Sequence, residues 1–317
     1  MMEVTIAICT YKRPGGVESA LESLSKQTYR LGAISVLIID NDPETSLAYH
    51  QKIAETFSNR FPVTVVAEPR LGISNARNRA LNECGSSHIA FLDDDCIASP
   101  NWLAALTKAI LSMGEGVGAV GGRSLGIWAF EMPAWVSRSL LGYLSVTDWG
   151  PTRRLLTPPL YLVGGNALFV ARALRDAGGF DLKLGRLGST LLGNEEIEVC
   201  DRLRGAGYSV MYEPEAIVGH VIARDRVQKA WFRKRVFWQA VSDLIQKGIG
   251  AAECSQADVQ DSEIGCYDGL RDIHSSFEGE LKTIYKMVLT MACGTSQFKL
   301  DRSKDWGPDR NDLVSKQ

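Results

Sequence analysis

The sequence has no C-x-x-C pair, and its seven cysteines are odd in number and scattered from Cys9 to Cys293. That pattern indicates neither a disulfide framework nor a zinc ribbon, and reduced, mostly buried thiols are expected. No uncharged apolar run approaches the roughly 18 residues of a membrane span. The opening Met1-Met2-Glu3-Val4 carries an acid where a secretory leader needs a basic start, so a soluble, cytoplasmic chain is expected. A large basic excess is also missing: the net charge is -2 over 317 residues, which argues against a surface that tracks nucleic acid. After the first predicted strand the chain reads Thr10-Tyr11-Lys12-Arg13-Pro14-Gly15-Gly16 rather than G-x-G-x-x-G. A Walker loop is absent too, so neither a dinucleotide cradle nor P-loop phosphoryl transfer is supported. Disorder as the main state is excluded by 45% apolar and 23% charged residues, enough for one large or two small domains.

From residue 3 to about 225, short β-branched runs alternate with helical periods, the form of an α/β layered domain with a largely parallel sheet. Strands are predicted over 4–9, 34–39, 63–66 and 88–92, and helices over 16–26, 73–84 and 100–113. Glycine, tryptophan and proline then crowd 114–166 with few clear periods, as expected of a half that shapes a substrate site. Order returns at 168–177, in a helix over 195–206 and in a strand over 208–212. Residues 250–275 are polar and acidic, 277–293 form a predicted helix, and the last eighteen or so residues are expected to fray.

The strand at 88–92 ends in Asp93-Asp94-Asp95. Wherever extended geometry persists, alternation sends Asp93 and Asp95 to one side and Asp94 to the other. Two converging carboxylates repel each other, and a divalent cation with hard oxygen ligands, which also holds phosphates, removes that cost. The alternative is a solvated acidic turn before the next helix. The apolar strand leading in favours a site, since ligands of open α/β sheets bind at the carboxyl ends of central strands. Asp40 ends the second strand on the same edge, placed either to orient a nucleotide or to form an Asx-turn with Asn41 and Asp42. On the helix at 195–206, Glu196 lies near the middle of the face made by Val199, Cys200, Leu203 and Ala206, with Glu195 to the side. Glu198 lies opposite, able to pair with Arg202 at i,i+4. The helix N-terminus holds the Glu196 carboxylate ionised while desolvation opposes its charge. Such a group is either a general base or an ordinary acidic helix start.

Taken together, the residues resemble family 2 glycosyltransferases of the GT-A fold over roughly residues 3–225. The resemblance rests on V-T-I-A-I-C-T-Y-K-R, V-L-I-I-D-N, E-P-R-L-G-I-S-N-A-R-N-R-A-L, F-L-D-D-D, G-G-N-A-L-F-V with G-G-F-D, and E-E-I-E-V-C-D-R-L-R-G-A-G-Y running on to P-E-A-I-V-G-H, in family order. It implies a GT-A-like, mostly parallel central sheet flanked by helices over 1–225, with a nucleotide-binding half over 1–113 and an acceptor half over 114–225. A helical C-terminal extension over 226–298 and a flexible tail over 299–317 would follow. It further implies a nucleotide-sugar site with Thr10, Arg13, Arg70, Arg77, Asp93 and Asp94 around the donor and Asp40 on its base. UDP is the commonest donor nucleotide in the family. Mn²⁺ or Mg²⁺ would be held by Asp95, with Asp93 nearer the ribose, and by His220, which in some relatives touches the metal or diphosphate. Such a metal neutralises the diphosphate leaving group. Gly164, Gly165 and Asn166 would form a tight loop beside the donor sugar.

The family's catalytic element is usually Glu-Asp-x-Asp, and Glu195-Glu196-Ile197-Glu198 stands in its place. By register Glu196 takes the base position, with Glu195 beside it, deprotonating a hydroxyl of a glycan or lipid-linked acceptor for inverting transfer. The extra methylene moves the carboxylate by about 1.5 Å, a displacement that can cost about 10²-fold in rate unless the backbone compensates. A non-catalytic sugar-nucleotide or glycan-binding protein and a sugar-phosphate nucleotidyltransferase are the alternatives; the second should have a glycine-rich first loop. Trp128, Trp135 and Trp149 either cover the acceptor or belong to the core.

Residues 224–235 carry six basic residues and one acid among large aromatics. A helix over 227–245 gathers Val227, Ala230, Trp231, Phe237, Trp238, Val241 and Leu244 on one face, with Arg226, Lys229 and Arg233 away from it. It is expected to pack on the catalytic domain, or to make peripheral contact with an anionic inner membrane face through 224–245.

Overall fold

The computed structural model describes residues 2–112, 114–248 and 276–294; the expected acidic stretch at 250–275 and tail at 299–317 lie outside these. The chain forms two compact units. The first comprises Met1–Ile127, Ser145–Leu182 and Glu195–Val221; the second comprises Trp128–Leu144, Lys183–Asn194 and Ile222–Gln317. Two stretches expected within a 1–225 domain, Trp128–Leu144 and Lys183–Asn194, thus group with the C-terminal part.

The first unit is built on a mixed sheet. Its strands are β1 (Val4–Thr10), β2 (Ile34–Asp40), β3 (Val63–Ala67), β4 (His88–Leu92), β5 (Cys96–Ala98), β6 (Val117–Trp128), β7 (Arg154–Leu155), β8 (Asn166–Val170) and β9 (Ser209–Ile222). The order is β3-β2-β1-β4-β8-β6-β9-β5, with β7 on β9. The ladder is parallel from β3 to β4, where helices supply the crossovers, and antiparallel from β4 to β8, β8 to β6 and β9 to β5. Every residue of β1 is buried, as its largely apolar run requires of a central strand. Alternation divides it, with Val4, Ile6 and Ile8 in one core and Ala7 and Cys9 in the other. The helices are α1 (Pro14–Ser25), α2 (Pro43–Phe57), α3 (Ile73–Glu83), α4 (Trp102–Ser112), α5 (Ala171–Asp176) and α6 (Glu195–Gly205). Cys9, Cys84, Cys96 and Cys200 are buried and unbridged, as expected.

Three elements differ from expectation for local reasons. Helix α2 buries Ser46, His50, Ile53 and Ala54, so half its inward stripe is polar and its period is masked. Strand β6 lies in the glycine-rich stretch that shows no period, and Gly122 packs so closely that a Cβ would meet the Ala216 carbonyl at 1.8 Å. Strand β9 continues past Pro214, which falls between its pairing with β7 at Met211–Tyr212 and with β5 at 218–220. Asn166, expected in a tight loop beside the donor sugar, is fully buried at the start of β8. Its Oδ1 accepts from Trp102 Nε1 at 2.7 Å, and its Nδ2 donates to the carbonyls of Arg123 and Ala216 at 2.9 and 3.0 Å. One side chain therefore joins α4, β6, β8 and β9.

In the second unit, α7 (Lys229–Gln246) packs against α8 (Ser276–Gly294). Trp135 stands edge-on to Phe232 and Phe277, and Leu192, Trp238, Val241, Leu244, Val288 and Leu289 form a core. The buried side of α7 includes Phe232, Arg235, Val236 and Ala240, which departs from the expected face, while Trp231 and Phe237 are half-buried. Its cations are partly engaged: Arg233 pairs with Glu280, and Lys229 lies over the Trp135 and Phe277 rings. Trp135 belongs to that aromatic cluster, whereas in the first unit Trp149 donates from Nε1 to the Tyr161 carbonyl. No helix among the described residues is long and apolar enough to cross a membrane.

Removing the Asn166 amide strands an indole N–H and two carbonyls, each costing about 1–3 kcal/mol when buried without a partner. Asn166→Ala should therefore lower stability by about 3 kcal/mol or more in urea unfolding; a loss below about 1 kcal/mol would contradict this role.

Candidate active site

Extended geometry stops at Leu92, and Asp93, Asp94 and Asp95 form a turn in which Cys96 N–H donates to the Asp93 carbonyl. The expected alternation therefore does not hold, and each acid meets a different partner. Asp94 accepts from Thr10 Oγ1 at 2.8 Å and from Arg13 Nη1 at 3.1 Å. Asp95 accepts from the same Arg13 nitrogen at 2.5 Å and has His220 Nε2 3.4 Å away. Asp93 turns to Arg77 Nη2, 3.3 Å away. Burial pushes the Asp94 carboxyl up to about 7, and Arg13 only partly offsets it.

Arg77, on α3, is 3% exposed and joins two groups of acids. Its Nη2 faces Asp93, its Nη1 donates to Glu195 Oε1 at 2.8 Å, and its guanidinium lies over the rings of Phe91 and Phe180. Burial works against its charge, but Asp93, Glu195 and Glu196 outweigh that and raise its pKa. The backbone gives it room: a Cβ at Gly164 would stand 2.5 Å from Arg77 Nη2, and one at Gly165 2.5 Å from Asp93. Gly164 and Gly165 thus allow the chain to approach the Arg77–Asp93 pair, which a side chain there would displace.

Glu195 and Glu196 open α6. Glu195 is buried, more so than its place on the helical wheel suggests, because Arg77 draws it inward. Glu196 keeps an Oε2 sealed from solvent and without a hydrogen-bond partner. Burial first, and then repulsion from Glu195, push the Glu196 carboxyl up to about 8, against the pull of Arg77. Desolvation thus prevails over the helix N-terminus. Glu198 pairs with Arg202, 2.6 Å apart.

Asp40 is fully buried, and its carboxylate accepts from the Asp42 N–H, Ser46 Oγ and His50 Nδ1. The Asx-turn is the arrangement present. Arg70 is turned onto buried Glu68, with contacts of 2.8 and 2.7 Å from Nε and Nη2. Asn41, which carried no expectation of its own, donates to the carbonyls of Glu68 and Arg70 and accepts from Gly72 N–H. Ser46 and His50, four residues apart on one helix face after an acid, were the signal for the Asp40 cradle. Among the described residues no three His, Cys, Asp or Glu side chains converge as a metal site; Asp95 and His220 come together while Asp93 is drawn to Arg77.

The profile of glycosyl transferase family 2 matches residues 5–158. Those residues are a family 2 glycosyltransferase domain. The chain is 25% identical over 248 residues, 77% of each protein, to the glucosyl-dolichyl phosphate glucuronosyltransferase of Haloferax volcanii. It is 28% identical over 239 residues to the succinoglycan biosynthesis protein ExoM of Rhizobium meliloti, covering 74% of this chain and 72% of that one. Among solved structures, the mannosyltransferase PcManGT of Pyrobaculum calidifontis, in complex with GDP-Man and Mn²⁺, aligns with a TM-score of 0.59 at 18% identity. That alignment covers 92% of this chain and 87% of that one, and shows the GT-A fold. The chain is accordingly a glycosyltransferase enzyme.

In this glycosyltransferase both raised acids affect stability in the same direction. Below their ordinary values of 3.8 and 4.5, Asp94 and Glu196 are neutral folded and unfolded. Above those values the folded state keeps protons that the unfolded chain has released, so stability falls as pH rises toward about 7 and about 8. The urea midpoint should fall between pH 5 and about 8, and Glu196→Gln should flatten the upper part of that slope. An unchanged slope in the variant would assign it elsewhere.

Proposed function

We propose that the enzyme moves a sugar from a nucleoside-diphosphate sugar, UDP-linked in the first instance, to a hydroxyl of a lipid-linked or polysaccharide acceptor, with inversion at the anomeric carbon. The observation that carries this is the carboxyl of half-buried Glu196, with one oxygen sealed from solvent and unpartnered, next in the chain to the Glu195 that Arg77 links to Asp93. The names of the relatives, one acting on a dolichyl phosphate and one in succinoglycan biosynthesis, support the acceptor class.

In this reading the ionised Glu196 takes the proton of the acceptor hydroxyl as its oxygen bonds to the anomeric carbon. The bond from that carbon to the diphosphate oxygen breaks, and its electron pair leaves with the nucleoside diphosphate. Arg13 supplies positive charge beside Asp94 and Asp95 at the leaving-group end. Arg77 holds Glu195 and limits how far its negative charge raises Glu196. Asp95 and His220 are the side chains that would hold a divalent cation, one carboxylate oxygen and one imidazole nitrogen 3.4 Å apart. A cation held there supplies Lewis-acid stabilisation of the departing diphosphate. Glutamate in the base position fits this chemistry because burial has brought its pKa toward the range a general base needs.

A base that titrates near 8 must lose its proton before it can act. For the free enzyme kcat/KM should rise with pH to a plateau above an apparent pKa of about 8. Glu196→Gln should lose about 10²–10⁴-fold and the pH limb with it. A variant that kept both would remove Glu196 from the chemistry. Donor binding is tested separately, by thermal shift with UDP, GDP, dTDP and CDP, with and without Mn²⁺. One nucleotide should raise the midpoint by several degrees at about 100 times Kd, only with Mn²⁺ and not in Asp95→Asn. No shift with any nucleotide would contradict the donor class.

A further inference from the structure

In the second unit, Arg235 stands on the buried side of α7, 6% exposed, with its guanidinium 5.9 Å from the Tyr143 ring centroid. Its Nε and Nη1 are sealed from solvent and have no hydrogen-bond partner, and no described carboxylate is in ion-pair contact with it. The neighbouring acid, Asp243, is taken up elsewhere. It accepts from Asn194 Nδ2 at 2.6 Å, Gln239 Nε2 at 2.7 Å and the Tyr285 hydroxyl at 2.6 Å, and feels Arg235 only through its field. The other buried acid of this unit, Glu278, accepts from the hydroxyls of Ser137 and Ser139. Among the described residues, Arg235 is thus a buried cation without an ion-pair partner, while the buried acids Asp243 and Glu278 are taken up by other groups.

Such a charge is strongly unfavourable unless an anion meets it. Three residues further along α7, Trp238 Nε1 is a second buried donor without a partner, and Gln239 Oε1 is an unpartnered acceptor. One side of the guanidinium faces bare backbone: a Cβ at Gly193 would stand 3.3 Å from Nη2. Gly193 is fixed there by its own N–H donating to Ser242 Oγ at 3.0 Å. Planar, always charged and rich in donors, a guanidinium is matched to the oxygens of a phosphate.

We propose that Arg235 receives a phosphate oxyanion within the second unit, with Trp238 as a second donor. The inference stands apart from the transferase reading above. The phosphate is either a lipid headgroup or a water-soluble phosphate, and the side chains address the chemistry that the two share.

The test is calorimetric titration of the full-length protein in EDTA with inorganic phosphate, a short isoprenyl monophosphate and the matching isoprenyl alcohol. Both phosphates should bind and the alcohol should not. Arg235→Met should weaken phosphate binding at least 10-fold while its thermal midpoint stays level or rises, because it removes an unpaired buried charge. Arg235→Lys should retain part of the affinity, and Arg13→Gln nearly all of it. Isoprenyl monophosphate at least 10-fold tighter than inorganic phosphate identifies the lipid source; equal affinities identify the soluble one. Unaltered binding in Arg235→Met overturns the proposal, as does a lowered midpoint, which makes Arg235 structural. Loss in Arg13→Gln alone overturns it by assigning the anion to the donor end. Phosphate binding at Arg235 in a protein that binds no nucleotide would sink the donor reading while leaving this site standing.

Discussion

The candidate site depends on one buried cation. Arg77 reaches Asp93, at the end of β4, and Glu195, at the start of α6, through two nitrogens of one planar group. Those acids are 102 positions apart in sequence, and without Arg77 each would be an unpaired charge in a site that also holds Glu196. Burying a guanidinium is favourable only when countercharges meet it, and here two carboxylates at Nη1 and Nη2 and two aromatic rings do so, while Nε has no hydrogen-bond partner. The same arrangement accounts for the glycine pair at 164 and 165, since any side chain there would occupy the space of Arg77 or Asp93.

Arg77 also differentiates the two glutamates. Glu195 is bound directly, whereas Glu196 receives only a long-range pull that burial and Glu195 together exceed. In the proposed reaction two adjacent residues of the same type therefore take different tasks, one as the countercharge of a structural cation and the other as the carboxyl that exchanges a proton. Pairs of titratable groups pushed apart by their surroundings are how acid and base roles are commonly divided. A longer side chain than the family's usual aspartate is accommodated at the head of a helix whose first acid is already anchored.

Much of the fold was legible because periodicity is strong where burial is uniform. β1, β2, β4, α1 and α3 lie close to where their apolar runs place them. What could not be read has a common cause, the use of polar or small residues at buried positions. Ser46 and His50 face inward on α2 to hold Asp40, Gly122 lets β6 pass against Ala216, and Asn166 serves as a joint between strands. The partnerships within the candidate site were not legible. Arg13, Asp94, Asp95 and His220 do meet, yet the turn after Leu92 sends Asp93 to Arg77, and no alternation rule anticipates a turn. Arg235 was read as one cation of a basic helix; only packing against Tyr143 and Gly193 distinguishes it from its neighbours.

The central claim is that the protein keeps the Glu196 carboxyl close to neutrality by burying it beside Glu195, with Arg77 as the restraint. Carboxyl-carbon NMR of the ¹³C-labelled protein, assigned by comparison with Glu196→Gln, measures this directly. The account predicts a titration for Glu196 centred at about 8. A midpoint at the ordinary glutamate value of 4.5 would contradict it.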